Sequence, residues 1–451
     1  MSKSIKRANK NKSNYKTAGS VRANALPRTD YLAILPAVFM CLLTFLVLLM
    51  DVVIPGLSAE QYQDYPALYR IVHIAIVCAG VLFWLIYLKQ NGITCLAPAS
   101  FIRRDTVYVL FFAAFLLLVI VSTIANGLDE KAIHGVSFRN IGVFHIFAFF
   151  LIYCFLSSQI RRQSFRTAAV TIFIATADVL GAFAVIDRFV APFDAFGAKK
   201  ELSTIFFNGN HYGYFLTMAV LASAGLFLYH SDHTLRMLGI ISMALNGFVL
   251  ALNNSFGCIL AVAATLVLFF IMSVFANRHA LKSFLLLFLT LIALGLAGAF
   301  ASSGITNSFQ VLLEDVQQVA SGGDDAASAG HNRWLLWTQT VDYILQRPIL
   351  GYGCEGVSDM IMADTGRGNP HCELLSYAAY FGIPAAVSYT LGVLVILARF
   401  FRRSVLCDAA SASAGLAACG YFISSLFGVP MFYTTPFFFI FLGLSLRSEA
   451  S

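Results

Sequence analysis

The chain has 451 residues, 59% hydrophobic and 12% charged, with a formal net charge of +7 and a mean hydropathy of +0.77. A soluble domain carries about 25% charged residues, so a water-soluble fold of this size is excluded, as are disorder and a disulfide-rich secreted scaffold. The apolar residues come in blocks of about 20 separated by short polar breaks, the pattern of a polytopic helical membrane protein; the alternation of a membrane β-barrel is absent.

The first 30 residues are polar and basic, with Lys3, Lys6, Arg7, Lys10, Lys12, Lys16, Arg22 and Arg28. The apolar run that follows is about 20 residues, longer than the 7–15 of a signal-peptide core, so a retained anchor is expected. Twelve spans are predicted, near 31–50, 68–88, 106–125, 139–158, 167–187, 208–229, 237–254, 256–275, 283–302, 376–398, 408–428 and 432–446. The fold class is therefore an all-α bundle. Asn253-Asn254-Ser255 makes a very tight turn between spans seven and eight, and the last span is short enough to be tilted.

With the N-terminus in the cytoplasm, the inner segments hold 21 Lys and Arg and the outer segments nine, a positive-inside bias. Both termini are thus expected in the cytoplasm. The basic tail then needs no nucleic acid: topology and contact with anionic membrane lipids account for it. The expected organisation is a tail (1–30), nine spans (31–302), a long outer loop (303–373) and three closing spans (374–447).

A connection of some 70 residues in a compact chain is usually functional. It starts with an amphipathic stretch, Ser308–Ala320, followed by a flexible connector from Ser321 to Gly330. A second helix is predicted over about 332–346, where Trp334, Trp337, Val341, Ile344 and Leu345 recur at helical spacing. Pro348 stops it, Gly351-Tyr-Gly353 turns the chain, and His371 leads into span ten.

Arg333 sits near the start of that second helix. Its planar fork of donors suits phosphate, and a helix N-terminus favours anions; the alternative is an arginine reaching to lipid headgroups. His371, after Pro370, is placed to take a proton from a hydroxyl or to be a satisfied interfacial histidine. Glu373 can orient it or face water. Asn208-Gly-Asn-His211-Tyr212 opens span six, where Asn208 and His211 can bind a sugar or headgroup, or Asn208 can cap the helix. Asp178 is an acid inside span five, a functional candidate by default unless it pairs with a neighbouring span. Arg188, Lys199 and Lys200 follow that span as possible phosphate contacts or ordinary loop charges.

The outward acidic pairs Asp129-Glu130 and Asp324-Asp325 read best as solvated loop features, not metal ligands. Among nine scattered cysteines, Cys354 and Cys372 are the two outward ones and can pair if the outer compartment is oxidising. No standard zinc spacing and no phosphate-binding P-loop sequence occurs.

Three pieces of the loop's end share one order and spacing: Gly330-His-Asn-Arg333-Trp334; Ile344-Leu-Gln-Arg-Pro348-Ile-Leu-Gly351-Tyr-Gly353; and Pro370-His371-Cys-Glu-Leu-Leu-Ser-Tyr-Ala-Ala-Tyr-Phe-Gly382-Ile-Pro384. Together they resemble the O-antigen ligase and polymerase family over about 55 residues. That family has a long periplasmic loop with an arginine before a tryptophan, a Pro-x-x-Gly-x-Gly turn, and a histidine leading into a span. The polar opening Asn208-Gly-Asn-His211 and the large loop after span nine resemble it too. Two features depart from it. Span eight opens Ser255-Phe256 where the family often has Ser-Arg, leaving Arg188, Lys199 or Lys200 to supply that charge. Cys372 and Phe381 stand where it often has Asn and Glu.

The resemblance implies a bacterial inner-membrane glycosyltransferase. It would move a glycan from an undecaprenyl diphosphate carrier to an acceptor hydroxyl on a glycan, lipid or protein at the outer face. Arg333 would stabilise charge as the sugar–phosphate bond breaks, and His371 would be the general base. Diphosphate leaves readily, so no strong general acid is needed; an arginine-rich site can make a metal unnecessary, and no cofactor is expected. Ligase and polymerase differ in acceptor. A transporter or flippase is the reading from another class; it predicts broken mid-membrane helices in both halves and internal repeats, and no clear repeat is present.

Overall fold

The computed structural model describes residues 27–53, 65–92, 106–136, 141–190, 208–276, 281–301, 329–403 and 408–446, with a few single positions between them. Among these every regular element is helical. In chain order they are α1 (Pro27–Ala33), α2 (Leu35–Val53), α3 (Tyr65–Asn91), α4 (Tyr108–Asn126), α5 (Glu130–His134), α6 (Val143–Ala148), a π-helical turn (Phe149–Cys154), α7 (Phe155–Ser158), α8 (Gln163–Phe189), α9 (Gly209–Tyr229) and α10 (His233–Asn253). There follow α11 (Phe256–Ala276), α12 (Leu281–Ala301), α13 (Ala329–Gln346), α14 (Ser358–Thr365), α15 (Glu373–Phe381), α16 (Ile383–Arg403), α17 (Ala409–Ser425) and α18 (Thr435–Leu444).

The protein is an all-α integral membrane protein. Among the described residues, seven of the expected spans are helices long and apolar enough to cross a membrane, including α4, α8, α9, α10 and α16. Two more fall on the apolar helices α11 and α12, and two on shorter apolar helices, Val143–Ser158 and Thr435–Leu444. The remaining one is α17, of 17 residues. Large side chains such as Ile74, Leu85, Leu117, Ile124, Leu289 and Ile292 are exposed on these helices, as expected of surfaces solvated by lipid tails.

The centre of the bundle is α9, which packs on α10 and α17. Helix α17 reads Ala-Ala-Ser-Ala-Ser-Ala-Gly-Leu-Ala-Ala-Cys-Gly from Ala409, and nearly all of it is buried. Small side chains let backbones approach closely where no hydrophobic force drives helices together in lipid. Gly225 of α9 lies so near α17 that a Cβ there would meet the Ser413 nitrogen at 2.4 Å. The tight turn falls at Asn254, which takes the left-handed cap conformation between α10 and α11; Asn and Gly tolerate it best.

Span ten is not one helix. Gly382, at φ +88°, breaks it into α15 and α16. The break strands carbonyls at the end of α15, and the Pro348–Gly353 turn supplies their partners. The backbone N–H groups of Tyr352 and Gly353 donate to Ala379 and Tyr380 at 3.0 and 2.8 Å, and Ile383 N–H donates to Pro348 at 2.8 Å. Ser122 of α4 places its hydroxyl 3.0 Å from the Tyr380 carbonyl. A Cβ at Gly382 would lie 2.0 Å from the Ile349 carbonyl oxygen. Gly382→Val is therefore expected to cost more than about 2 kcal/mol through backbone strain and collision, read as a large drop in the melting temperature of detergent-solubilised protein.

Candidate functional site

The second loop helix forms as α13, and Trp337 docks it: the indole Nε1–H donates to the Pro370 carbonyl at 3.0 Å, with its ring 6.3 Å from that of Phe427. This brings Arg333, one turn earlier, over the mouth formed by α9, α11 and α15. Its guanidinium is within electrostatic reach of Tyr214, Cys258, Cys372 and His371. Arg333 is half-buried and makes no hydrogen bond or ion pair among the described residues. A half-buried guanidinium has donors of the geometry and charge that suit an anion.

His371 lies in the turn between α14 and α15, at φ +52°, a conformation rare for a side-chain-bearing residue. Its backbone N–H donates to Asn369 Oδ1 at 2.8 Å. Burial pushes its imidazole down from the ordinary value to about 4, and the guanidinium groups of Arg333, Arg367 and Arg139 act in the same direction. Both causes favour the neutral ring over the imidazolium. Arg367, exposed on the same turn, is a cation the sequence reading did not single out.

His211 is buried at the start of α9, and its Nδ1 is 2.6 Å from the Tyr433 hydroxyl. It is close enough to His371 for the two imidazoles to feel each other's charge. The structure thus gathers Arg333 and His371 with His211, which the sequence places more than a hundred residues before either. Tyr433 joins them without having been foreseen; it follows an apolar run and carries no motif.

The other candidates are placed differently. Asn208 is the N-cap of α9, its Oδ1 accepting from Asn210 N–H at 2.7 Å. Glu373 is fully buried and accepts from the Tyr389 hydroxyl at 2.6 Å, so it braces α15 against α16 rather than facing the mouth. Asp178 accepts from Asn246 Nδ2 at 2.7 Å and from Ser242 at 2.5 Å; it ties α8 to α10, the pairing alternative of the sequence reading. Arg188 is exposed at the end of α8, with no described contact to Arg333. Lys199, Lys200, Asp324 and Asp325 lie outside the described residues, as does Ser308–Ala320 apart from Glu314, Gln317 and Gln318.

Asp129 caps α5 through a bond from Ala132 N–H at 2.6 Å. Cys354 and Cys372 are separate, buried free thiols, so the structure does not contain the possible disulfide. Among the described residues no group of three His, Cys, Asp or Glu side chains is arranged to hold a metal.

Residues 241–390 match a family model described as O-antigen ligase. The matched segment holds both Arg333 and His371 and ends in α16, whereas His211 and Tyr433 lie outside it. No curated protein matches the chain.

Proposed function

We propose, from the premise that residues 241–390 are an O-antigen ligase family domain, that this membrane protein transfers a glycan from an undecaprenyl diphosphate carrier to an acceptor hydroxyl. The transfer takes place at the outer face of a bacterial inner membrane, with both termini in the cytoplasm. The observation that carries the reading is that Arg333, which makes no hydrogen bond or ion pair among the described residues, lies within electrostatic reach of His371 in its left-handed turn.

In this reading the acceptor oxygen attacks the anomeric carbon while His371 takes its proton. The bond between that carbon and the diphosphate oxygen breaks, and the electron pair leaves with the diphosphate. Arg333, helped by Arg367, stabilises the charge that develops there. His211, held by Tyr433, lines the same mouth for sugar hydroxyls. Arg188, Lys199 and Lys200 remain candidates for further phosphate contact, and no metal or cofactor has a part. The carrier's lipid tail lies between spans, which gives the enzyme its reason to be embedded.

Transfer to the next carrier-linked repeat (a polymerase) or to a lipid or protein anchor (a ligase) uses the same chemistry. Carrier-linked and surface glycans of cells making the wild type are compared with those of an Arg333→Ala, His371→Ala double variant at matched expression. Single repeats accumulating on the carrier identify a polymerase, and full-length chains stranded on it a ligase. Two unchanged glycan pools would overturn the reading.

A further inference from the structure

We propose that Arg139 and Asn369 are positioning residues for His371, holding it in its left-handed turn through one buried polar chain; this rests on the reading of His371 as the base. Arg139 lies between α5 and α6 and is almost fully buried, as are Glu355 and Asn369, which are 9%, 2% and 4% exposed. The guanidinium pairs with both carboxylate oxygens of Glu355, with Nε at 2.9 Å from Oε1. Its Nη2 also donates to Ser358 Oγ and to the Gly368 carbonyl, each at 3.2 Å.

From Glu355 the chain runs on. The Tyr380 hydroxyl donates to Glu355 Oε2 at 3.0 Å, and Asn369 Nδ2 reaches that hydroxyl at 3.4 Å. Asn369 Oδ1 then accepts the His371 backbone N–H at 2.8 Å. Arg139, Glu355, Asn369 and Tyr380 line one narrow cleft with Pro430, so Asn369 brings that cleft to the turn of which it is part.

Two facts separate this from an ordinary buried staple. Glu355, inside the chain, and His371, at its end, both hold a left-handed backbone, φ +60° and +52°. Side-chain-bearing residues keep that conformation only where the surroundings over-determine it, and such strain clusters at functional sites. Second, a buried ion pair is a weak source of stability because desolvation offsets its attraction, whereas it fixes geometry well. Both bonds that reach the turn fall on it, at Gly368 and at His371.

The test measures how fast isolated membranes holding their own carrier-linked glycan consume it, with full-length variants at matched amount. Asn369→Ala carries it, because it leaves the Arg139–Glu355 pair intact; Arg139→Ala exposes an unpaired buried carboxylate and can fail to fold. Asn369→Ala is expected to slow transfer by about 30-fold, in line with the sensitivity of catalysis to misplacement of about 1 Å. In a His371→Ala background the same change is expected to cost less than about 3-fold, since unlinked sites would add.

The acid limb of the rate profile gives a second readout. The charged and titratable groups facing His371 are Arg333 on α13, Arg367 and Arg139 beside the turn, and His211 on α9. Asn369→Ala changes none of them, but releases His371 toward water, so the limb should move up toward about pH 6.5. Equal losses in both backgrounds, or an unmoved limb, overturn the positioning role while leaving His371 as the base. Unchanged consumption by His371→Ala alone overturns both.

Discussion

Replacing His371 with alanine is expected to slow glycan transfer by about 10²–10⁴-fold, the range contributed by a positioned general base. The loss should fall on the chemical step, because a neutral imidazole adds little to binding a charged donor. The pH profile supplies the sharper check. The free enzyme's His371 is depressed to about 4 by burial first, then by Arg333, Arg367 and Arg139. Its neutral form is therefore the working form, present above that value and lost as pH falls through it. In the free enzyme, kcat/KM should hold its plateau to below pH 5. A bound diphosphate brings negative charge beside the ring and favours the imidazolium, so the acid limb of kcat should lie at higher pH than that of kcat/KM. His371→Ala should abolish the limb from both. A limb that survives would assign it to another group.

Arg333→Ala is expected to cost about 10²–10³-fold, by analogy with the removal of one charge-stabilising donor from a preorganised site. Because the leaving diphosphate gains charge as its bond to sugar breaks, kcat should fall by more than KM rises. Arg333→Lys keeps the charge but loses the two-pronged fork, and should recover only part of the loss. The substitution to alanine also removes a cation that depresses the His371 imidazole, so the acid limb should move up. Lysine should leave it close to its original place. Equal profiles in both variants, with equal rates, would show that Arg333 acts only as lipid contact or packing.

Much of the molecule could be read from the chain because hydropathy and periodicity are local. The expected spans fall on helices, Asn254 makes the tight turn, and the loop helix expected over 332–346 is α13, Ala329–Gln346. The meeting of Arg333 and His371 could be anticipated from the resemblance of their flanking motifs. The interruption of span ten was less legible. Gly382 sits in an apolar stretch that a window average carries straight through, and only the Pro348–Gly353 turn folding back onto the carbonyls of Ala379 and Tyr380 makes a break tolerable. The Pro-x-x-Gly-x-Gly pattern thus has a physical role the sequence did not reveal: it caps the broken helix behind the site.

What the sequence by itself determined was the solvent of each segment: which stretches must hide their backbone in helices among lipid tails, which loop is long, and where Arg333 and His371 stand along it. The tertiary structure decided which charges remain available there. Arg139 and Glu355, 216 residues apart, consume each other; Asp178 is occupied by Ser242 and Asn246; Glu373 turns inward to Tyr389. Arg333, by contrast, makes no hydrogen bond or ion pair among the described residues and stands near a histidine in a left-handed turn. No local pattern encodes these outcomes, because whether a charge is free or neutralised depends on which distant side chain the packing brings within about 3 Å of it.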